Sequence, residues 1–234
     1  MLLSEIFNQL NYGELADTEL AGGIDSSIAI QNYPAIISHI NIGLSELYKR
    51  FELDTSQVVI QLYNNISLYN LQYDFATSNT ASTEPIKYLM DTPSNPFNDR
   101  VIKILDVYDG YGLHFPLNDV NKTTSLFTPS YNKLQVPYRR GGEFIIYVEY
   151  LSDHILIPIT TINLDTVNVN IPDTLLQSLL YFVASRVFTN MTGGKTNEGN
   201  NYLAKFEASC NKYKELNAFT RESYSNNIGR DGWV

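Results

Sequence analysis

The sequence predicts an α+β protein: N- and C-terminal helices form an antiparallel helical bundle, and an antiparallel β-sandwich or small barrel is inserted between them. Three observations lead there. Apolar residues recur at spacings of three and four near both ends of the chain. The stretch 55–171 changes to a period of two. No helical stripe interrupts that stretch, which argues against βαβ units and a Rossmann sheet.

The elements follow in order. Leu2, Ile6, Phe7 and Leu10 mark a short helix over residues 2–10. Residues 11–31 are rich in turn formers. Pro34 suits the first turn of a long helix, with Asn32 as its candidate cap. Ile37, Ile40, Leu44, Leu47, Tyr48 and Phe51 give that helix one apolar face, and Lys49 and Arg50 suit the negative end of its dipole. Val58, Ile60 and Leu62 then alternate with Gln57, Val59 and Gln61. Residues 66–75 alternate again, and RVIKILDVY, KLQVPY and EFIIYVEY read as further strands. DTPSNPFND and DVNKTTS are turns between them. Ile171-Pro172-Asp173 opens a second long helix, with Leu175, Leu176, Leu179, Leu180, Val183, Val187 and Phe188 on its apolar face. A break at TNMTGGKTNEGNN precedes a last helix over roughly 200–223, with Leu203, Phe206, Cys210, Tyr213 and Leu216 on one side. Neither helical end can bury its stripe alone, so the two are expected to pack together. The expected domains are 1–54 with 172–223 as a discontinuous helical domain, 55–171 as the β-rich insertion, and 224–234 as an extended C-terminal tail.

Composition narrows the function. At 44% hydrophobic, the chain can bury a core. A formal net charge of -9 argues against a generally basic nucleic-acid grip. That charge divides as -6 for residues 1–54, -4 for 55–171 and +1 for 172–234, so the acidity belongs to the front and the last helix is the one locally basic region. A single cysteine excludes an internal disulfide and a multi-cysteine zinc site. The opening MLLSEIFNQL lacks the basic flank of a signal peptide and is too short for a span, so synthesis in a reducing cytoplasm is expected.

No catalytic, cofactor or metal site emerges. Gly193–Thr196 reads GGKT, yet Thr189 stands where a phosphate-binding loop needs glycine, and the segment follows a helix rather than a strand. Arg139-Arg140-Gly141-Gly142 reads as a turn before a strand, although Arg140 is also suited to pairing across an interface. Asp106, Asp109, Asp119 and His114 lie close in sequence, but a metal or acid–base site needs their side chains to converge, and a Gly-rich hairpin is the simpler reading. Cys210 falls on a helical apolar stripe and is expected to be buried. The many tyrosines suggest packing, or contact surfaces.

The whole layout resembles the head–tail connector, or adaptor, ring proteins of short-tailed bacteriophages, also called tail tubular protein A. The features that carry it are SEIFNQLNYGEL followed by a helix ending NIGLSELYKRFEL; a β-rich insertion closing with GEFIIYVEYLSDHILIP; and IPDTLLQSLLYFVASRVFTNMTGG before a long final helix. Tyr181, Ala184, Ser185, Arg186, Phe188, Asn190, Gly193 and Gly194 match the family's phrase before its glycine loop. The resemblance implies a non-enzymatic virion protein without cofactors, made in the host cytoplasm. It implies a homo-oligomeric ring, commonly of twelve copies, between the portal protein and the tail nozzle, away from any membrane. DNA passes transiently through its channel. It places portal docking in the C-terminal segment, here Leu216, Phe219, Tyr224, Ile228, Arg230, Trp233 and Val234. Arg50, Arg139, Arg140 and Arg186 are the candidate subunit-interface residues. The alternative expectation is a carbohydrate- or receptor-binding tail module built on tyrosines of the β block. A hydrolase using Asp106, Asp109 and His114 is a third.

Overall fold

The second long helix is apolar on more than one side, and the rest of the helical part is arranged around it. In a computed structural model, which describes residues 1–16, 18, 20, 27–137, 144–190 and 196–216, this helix is α3 (Asp173–Asn190). Leu175, Leu176, Leu179, Leu180, Val183, Ala184, Val187 and Phe188 are all buried along it. A helix apolar around most of its circumference must be covered from several directions. It is covered by α1 (Leu3–Tyr12), α2 (Tyr33–Phe51) and α4 (Thr196–Glu215). Helices from both ends of the chain therefore share one apolar cluster.

Local signals set the helix ends. Glu5 Oε2 accepts from the Leu2 amide at 2.9 Å, placing an acid at the positive end of α1. The Gly13 amide closes its other end on Gln9 O at 2.9 Å. Pro34 lies in the first turn of α2, but Asn32 is not a side-chain cap. A 3-10 turn over Ile30–Asn32 runs straight into α2 and holds Asn32 in a helical conformation, away from the orphan amides. Glu52 stops α2 with φ 48°.

The middle of the chain folds as two antiparallel sheets. In chain order the strands are β1 (Thr55–Leu62), β2 (Leu68–Asn70), β3 (Leu89–Met90), β4 (Val101–Asp109), β5 (Phe127–Ser130), β6 (Lys133–Gln135) and β7 (Phe144–Ser152). One sheet has the order β3-β1-β7-β4 and the other β2-β6-β5. The fold is thus mixed α+β, with four helices and two antiparallel sheets among the described residues. Alternation decides which side is buried: Val58 and Ile60 of β1 and Ile146, Val148 and Tyr150 of β7 enter a second apolar cluster with Tyr69, Leu134 and Leu126. Every buried member of that cluster lies between residues 58 and 150. Asp91 pins its loops by accepting from the Ser78 amide (2.7 Å), Ser78 Oγ (2.5 Å), Thr77 Oγ1 (2.9 Å) and the Phe97 amide (2.8 Å).

Some sequence expectations shift. The alternation over 66–75 yields only Leu68–Asn70 as strand, because Tyr73–Phe75 turn as a 3-10 helix whose first amide is held by Asp99 Oδ1 at 2.5 Å. The last helix starts earlier, at Thr196, and its apolar face is narrower than expected. Phe206 and Cys210 are buried, whereas Leu203 and Leu216 are exposed. The segment after β7 also changes allegiance. Ile157, Val169 and Ile171 pack into the helical cluster, and the Leu3 amide donates to Val167 O at 2.9 Å while the Val169 amide donates to Met1 O at 2.8 Å.

The α3–α4 pair is set by one glycine. A Cβ on Gly199 would sit 2.4 Å from Thr189 Oγ1, 3.0 Å from Thr189 N and 3.1 Å from Ser185 O. Two of those atoms are backbone and cannot swing aside. Gly199→Ala is therefore expected to lower stability by about 1–3 kcal/mol, despite the roughly 1 kcal/mol that alanine normally adds in a helix. Gly110→Ala, where nothing lies within 4 Å, is the control that should melt as the parent does. Paired thermal melts check this, and equal midpoints for both variants would contradict the close approach.

Candidate assembly surface

Of the expected interface arginines, Arg50 and Arg186 are described; Arg139 and Arg140 lie outside the described residues. Arg50 reaches across from α2 to α4. Its Nη1 and Nη2 donate to Glu207 at 2.6 and 2.8 Å, and its Nε donates to Glu46 at 2.7 Å. The guanidinium also lies 4.9 Å from the Phe206 ring centre. The hydrogen bonds donated to Glu207, opposed by partial burial, push Arg50 further above its usual range. The same bonds hold the Glu207 carboxyl below its usual value. Arg50 is thus a tie between two helices of the same chain, with 23% of its side chain still accessible. Arg186 is exposed on α3. Burial, then the charge of Arg186, lowers the pKa of His39 on the facing α2.

Leu216 is 63% exposed just beyond α4. Phe219, Tyr224, Ile228, Arg230, Trp233 and Val234, the rest of the expected docking segment, lie outside the described residues, as do Gly193 to Lys195 of the GGKT phrase. Thr196, the last residue of that phrase, is the first residue of α4.

The acidic hairpin separates into two unrelated roles. His114 Nδ1 and Asp106 Oδ2 meet at 2.6 Å on the surface. Asp109 is buried and spends Oδ1 on the Tyr111 and Leu113 amides, at 2.9 and 3.0 Å, which makes it a turn former. Among the described residues, no group of three or more His, Cys, Asp or Glu side chains is placed to hold a metal ion. The tyrosines likewise divide. Tyr48, Tyr69, Tyr88 and Tyr150 are buried. Tyr108 and Tyr147 stack at 5.6 Å with their planes 6° apart, so each covers a face of the other. Tyr12, Tyr63, Tyr111 and Tyr131 are exposed on four different parts of the chain.

A polar cluster that the sequence did not announce joins the helices to the sheet. Asn41 of α2 donates from Nδ2 to Ile157 O (2.9 Å) and accepts at Oδ1 from the Ile157 amide (3.0 Å), copying a strand ladder with one side chain. His154 Nε2 faces the same Asn41 Oδ1 at 3.1 Å, and His154 Nδ1 faces Asp153 Oδ1 at 2.9 Å. Ser45 Oγ donates to Asp153 Oδ2 at 2.8 Å. Tyr48 closes the group by donating to Asn170 O at 2.5 Å. Serine, histidine and aspartate are all present, but the order is wrong for acyl transfer. A nucleophilic serine must bond the ring nitrogen opposite the carboxylate. Here that nitrogen belongs to Asn41, and serine bonds the aspartate directly. The chemistry on offer is a clamp. Its one sequence signal was Asn41 itself, a polar residue four positions after Ile37 on an apolar face.

Beside the clamp, the segment after β7 presents Ile155 (74%), Leu156 (69%), Ile159 and Ile162 to solvent, and Ile42 of α2 is exposed as well. Buried Cys210 is the opposite case: burial pushes its thiol up to about 11. No helix among the described residues is long and apolar enough to cross a membrane.

Comparison with the models of known protein families finds no match. Comparison with curated proteins finds no significant match either.

Two outcomes follow from the clamp. Asn41→Ala strands the main-chain groups of Ile157 and should cost about 2–3 kcal/mol, measured by denaturant unfolding; a cost near zero would mean the clamp does not hold the segment. Burial opposes ionisation of Asp153, but the bonds from His154 and Ser45 prevail and hold its carboxyl below the ordinary 3.8. A carboxyl depressed by folding adds stability that is complete above its unfolded value and is lost as pH falls through its folded one. Stability should therefore drop as pH falls below about 4, and Asp153→Asn should flatten that limb. Melts between pH 2 and pH 6 check this, and an unchanged acid slope would contradict it.

Proposed function

We propose that this chain is a structural virion protein, a head-to-tail adaptor that forms a ring between portal and tail nozzle and gives DNA a channel. The observation that supports it is the joint core: α1 and α2 from the front of the chain pack with α3 and α4 from its end, with the β unit strung between them. On this reading the helices are an antiparallel bundle, residues 1–54 with 172–223. Within 55–171 the strands form an inserted sandwich, the segment after β7 packs back on the helices, and 224–234 is the docking tail. The thin burial of α4, with Leu203 exposed on it and Leu216 exposed just beyond it, leaves a helix face for a neighbour in the ring. The exposed aliphatic segment 155–162 offers a second contact of the same kind.

The charge asymmetry suits a conduit. A net-negative front repels DNA phosphate, and physiological salt screens that repulsion beyond about 8 Å. DNA then passes without being held. The protein carries out no turnover on this reading and needs no cofactor.

Native mass measurement and negative-stain imaging of the purified chain, alone and with portal and nozzle proteins, test the proposal. A closed ring or a portal-bound oligomer is the expected result. A monomer that associates with neither protein would overturn it. Removal of residues 224–234 should abolish portal docking while leaving the melting temperature close to that of the full chain. Docking that survives the truncation would remove the tail from the proposal.

A further inference from the structure

The two edges of the four-stranded sheet are finished differently. At the β4 edge the pairing with β7 slips twice, between Val101 and Lys103 and between Ile104 and Asp106. Lys103 is exposed there, and the returning chain covers the far end, with the Phe115 amide donating to Val107 O at 2.8 Å. Irregular pairing and an exposed lysine are how soluble proteins keep a sheet edge from recruiting another strand. The other edge has neither device. All eight residues of β1 pair with β7, but on its outer side only Val59 and Ile60 pair with β3. After Met90 the chain turns away, and Thr92 pairs with Asn95 instead.

The open half of β1 still has its main-chain groups aimed outward. The Gln61 amide donates to Tyr88 O on the β3 side at 2.9 Å. Strand groups alternate with a period of two, so the N–H and C=O of Gln57 point to that same side. Among the described residues no main-chain bond joins Gln57 to the facing loop. Between them lies a cavity of about 320 Å³. Gln57 forms one bank and Asn95 and Asn98 the other, with Phe97, Tyr150 and Arg100 also in its lining. Phe97 and Tyr150 are buried and meet edge to face, 5.9 Å apart, so this part of the wall is preformed. On the outer face of the sheet, Met90 is 46% exposed next to its cross-strand partner Val59, and Val59 continues into Tyr147 and Tyr108.

We propose that the Thr55–Val58 edge of β1 is a binding site for an extended polypeptide segment of a partner protein, which adds to the sheet as a further strand. Its main chain bonds Gln57, which supplies affinity, and its side chains alternate between the cavity and the Met90–Val59 face, which supplies selectivity. The residue landing on Met90 and Val59 is apolar. The one seated in the cavity between Gln57 and the Asn95–Asn98 bank is polar, because both banks carry side-chain amides. The claim stands on the edge geometry and does not use the adaptor reading, so either can fail alone.

A displayed library of random twelve-residue peptides, selected against the full chain, supplies the probe. The best peptide should slow hydrogen exchange at the Gln57 amide by about tenfold or more. Gln57→Pro should weaken it by a similar factor. Proline removes an amide that points away from β7, a position where edge strands tolerate it. Asn95→Trp, which fills the cavity and keeps every main-chain amide, should weaken binding equally and carries the test if the proline variant does not fold. Selected peptides that protect only other amides, or that bind both variants as they bind the parent, would overturn the proposal. So would a library that yields no binder. Sedimentation of the chain alone covers the remaining occupant: an oligomer that Gln57→Pro dissolves would mean that a second copy fills the groove, and the partner-protein reading would fall.

Discussion

An 18-residue helix that is apolar on nearly every side cannot be satisfied by one neighbour, and α3 imposes that requirement on the whole chain. Its hairpin partner α4 follows it directly, but α4 supplies only Phe206, Cys210 and Gly199 as buried residues. The remaining cover must come from α1 and α2, which lie more than a hundred residues earlier. The order of elements follows from this demand. Whatever is encoded between α2 and α3 must leave the helices and return to them, so the β unit is closed upon itself with its own apolar cluster. Each fully buried leucine along α3 contributes on the order of 1.5–3 kcal/mol, so the joint core outweighs any single polar contact described above.

The return point is where apolar packing alone is insufficient. Leaving β7, the chain has main-chain groups to satisfy at the surface of α2, and no sheet partner remains for them. Asn41 meets this need by imitating a neighbouring strand, and His154, Asp153 and Ser45 fill the remaining donors and acceptors. Arg100 adds a tie from the β4 side by donating to Asp153 O at 2.9 Å. The two clusters are separate among the described residues, and this polar seam joins the helices to the sheet.

Much of this was legible as period. Ile37, Ile40, Leu44 and Leu47 are all buried, and so are Val58 and Ile60 against Gln57 and Val59. Periodicity reports which side of an element is apolar, and these sides are buried where it says. What it could not report was contact made by main chain. The alternation of residues 66–75 was cut short by a turn fixed through Asp99, a residue distant in sequence. The last helix looked amphipathic at Leu203 and Leu216, yet both face solvent because α3 is already covered on its other sides. The Ser45–Asp153–His154 cluster was invisible because Ser45 stands more than a hundred residues before Asp153 and His154, and only Asn41 breaks a pattern. Arg50 is similar: its sequence neighbours announce the helix dipole, but not Glu207, which lies far along the chain and bonds it from α4.

The single cysteine, sealed between α4 and the core with its thiol raised to about 11, has a practical meaning. In the closed molecule it is neither accessible nor ionised enough to react near neutral pH. A thiol reagent can therefore modify it only in the moments when α4 lifts away, and the labelling rate becomes a clock for that local opening. The chain carries this reporter without any substitution. If neighbours recruit the exposed side of α4, the clock should slow upon assembly, so a property of one helix becomes a readout of the company it keeps.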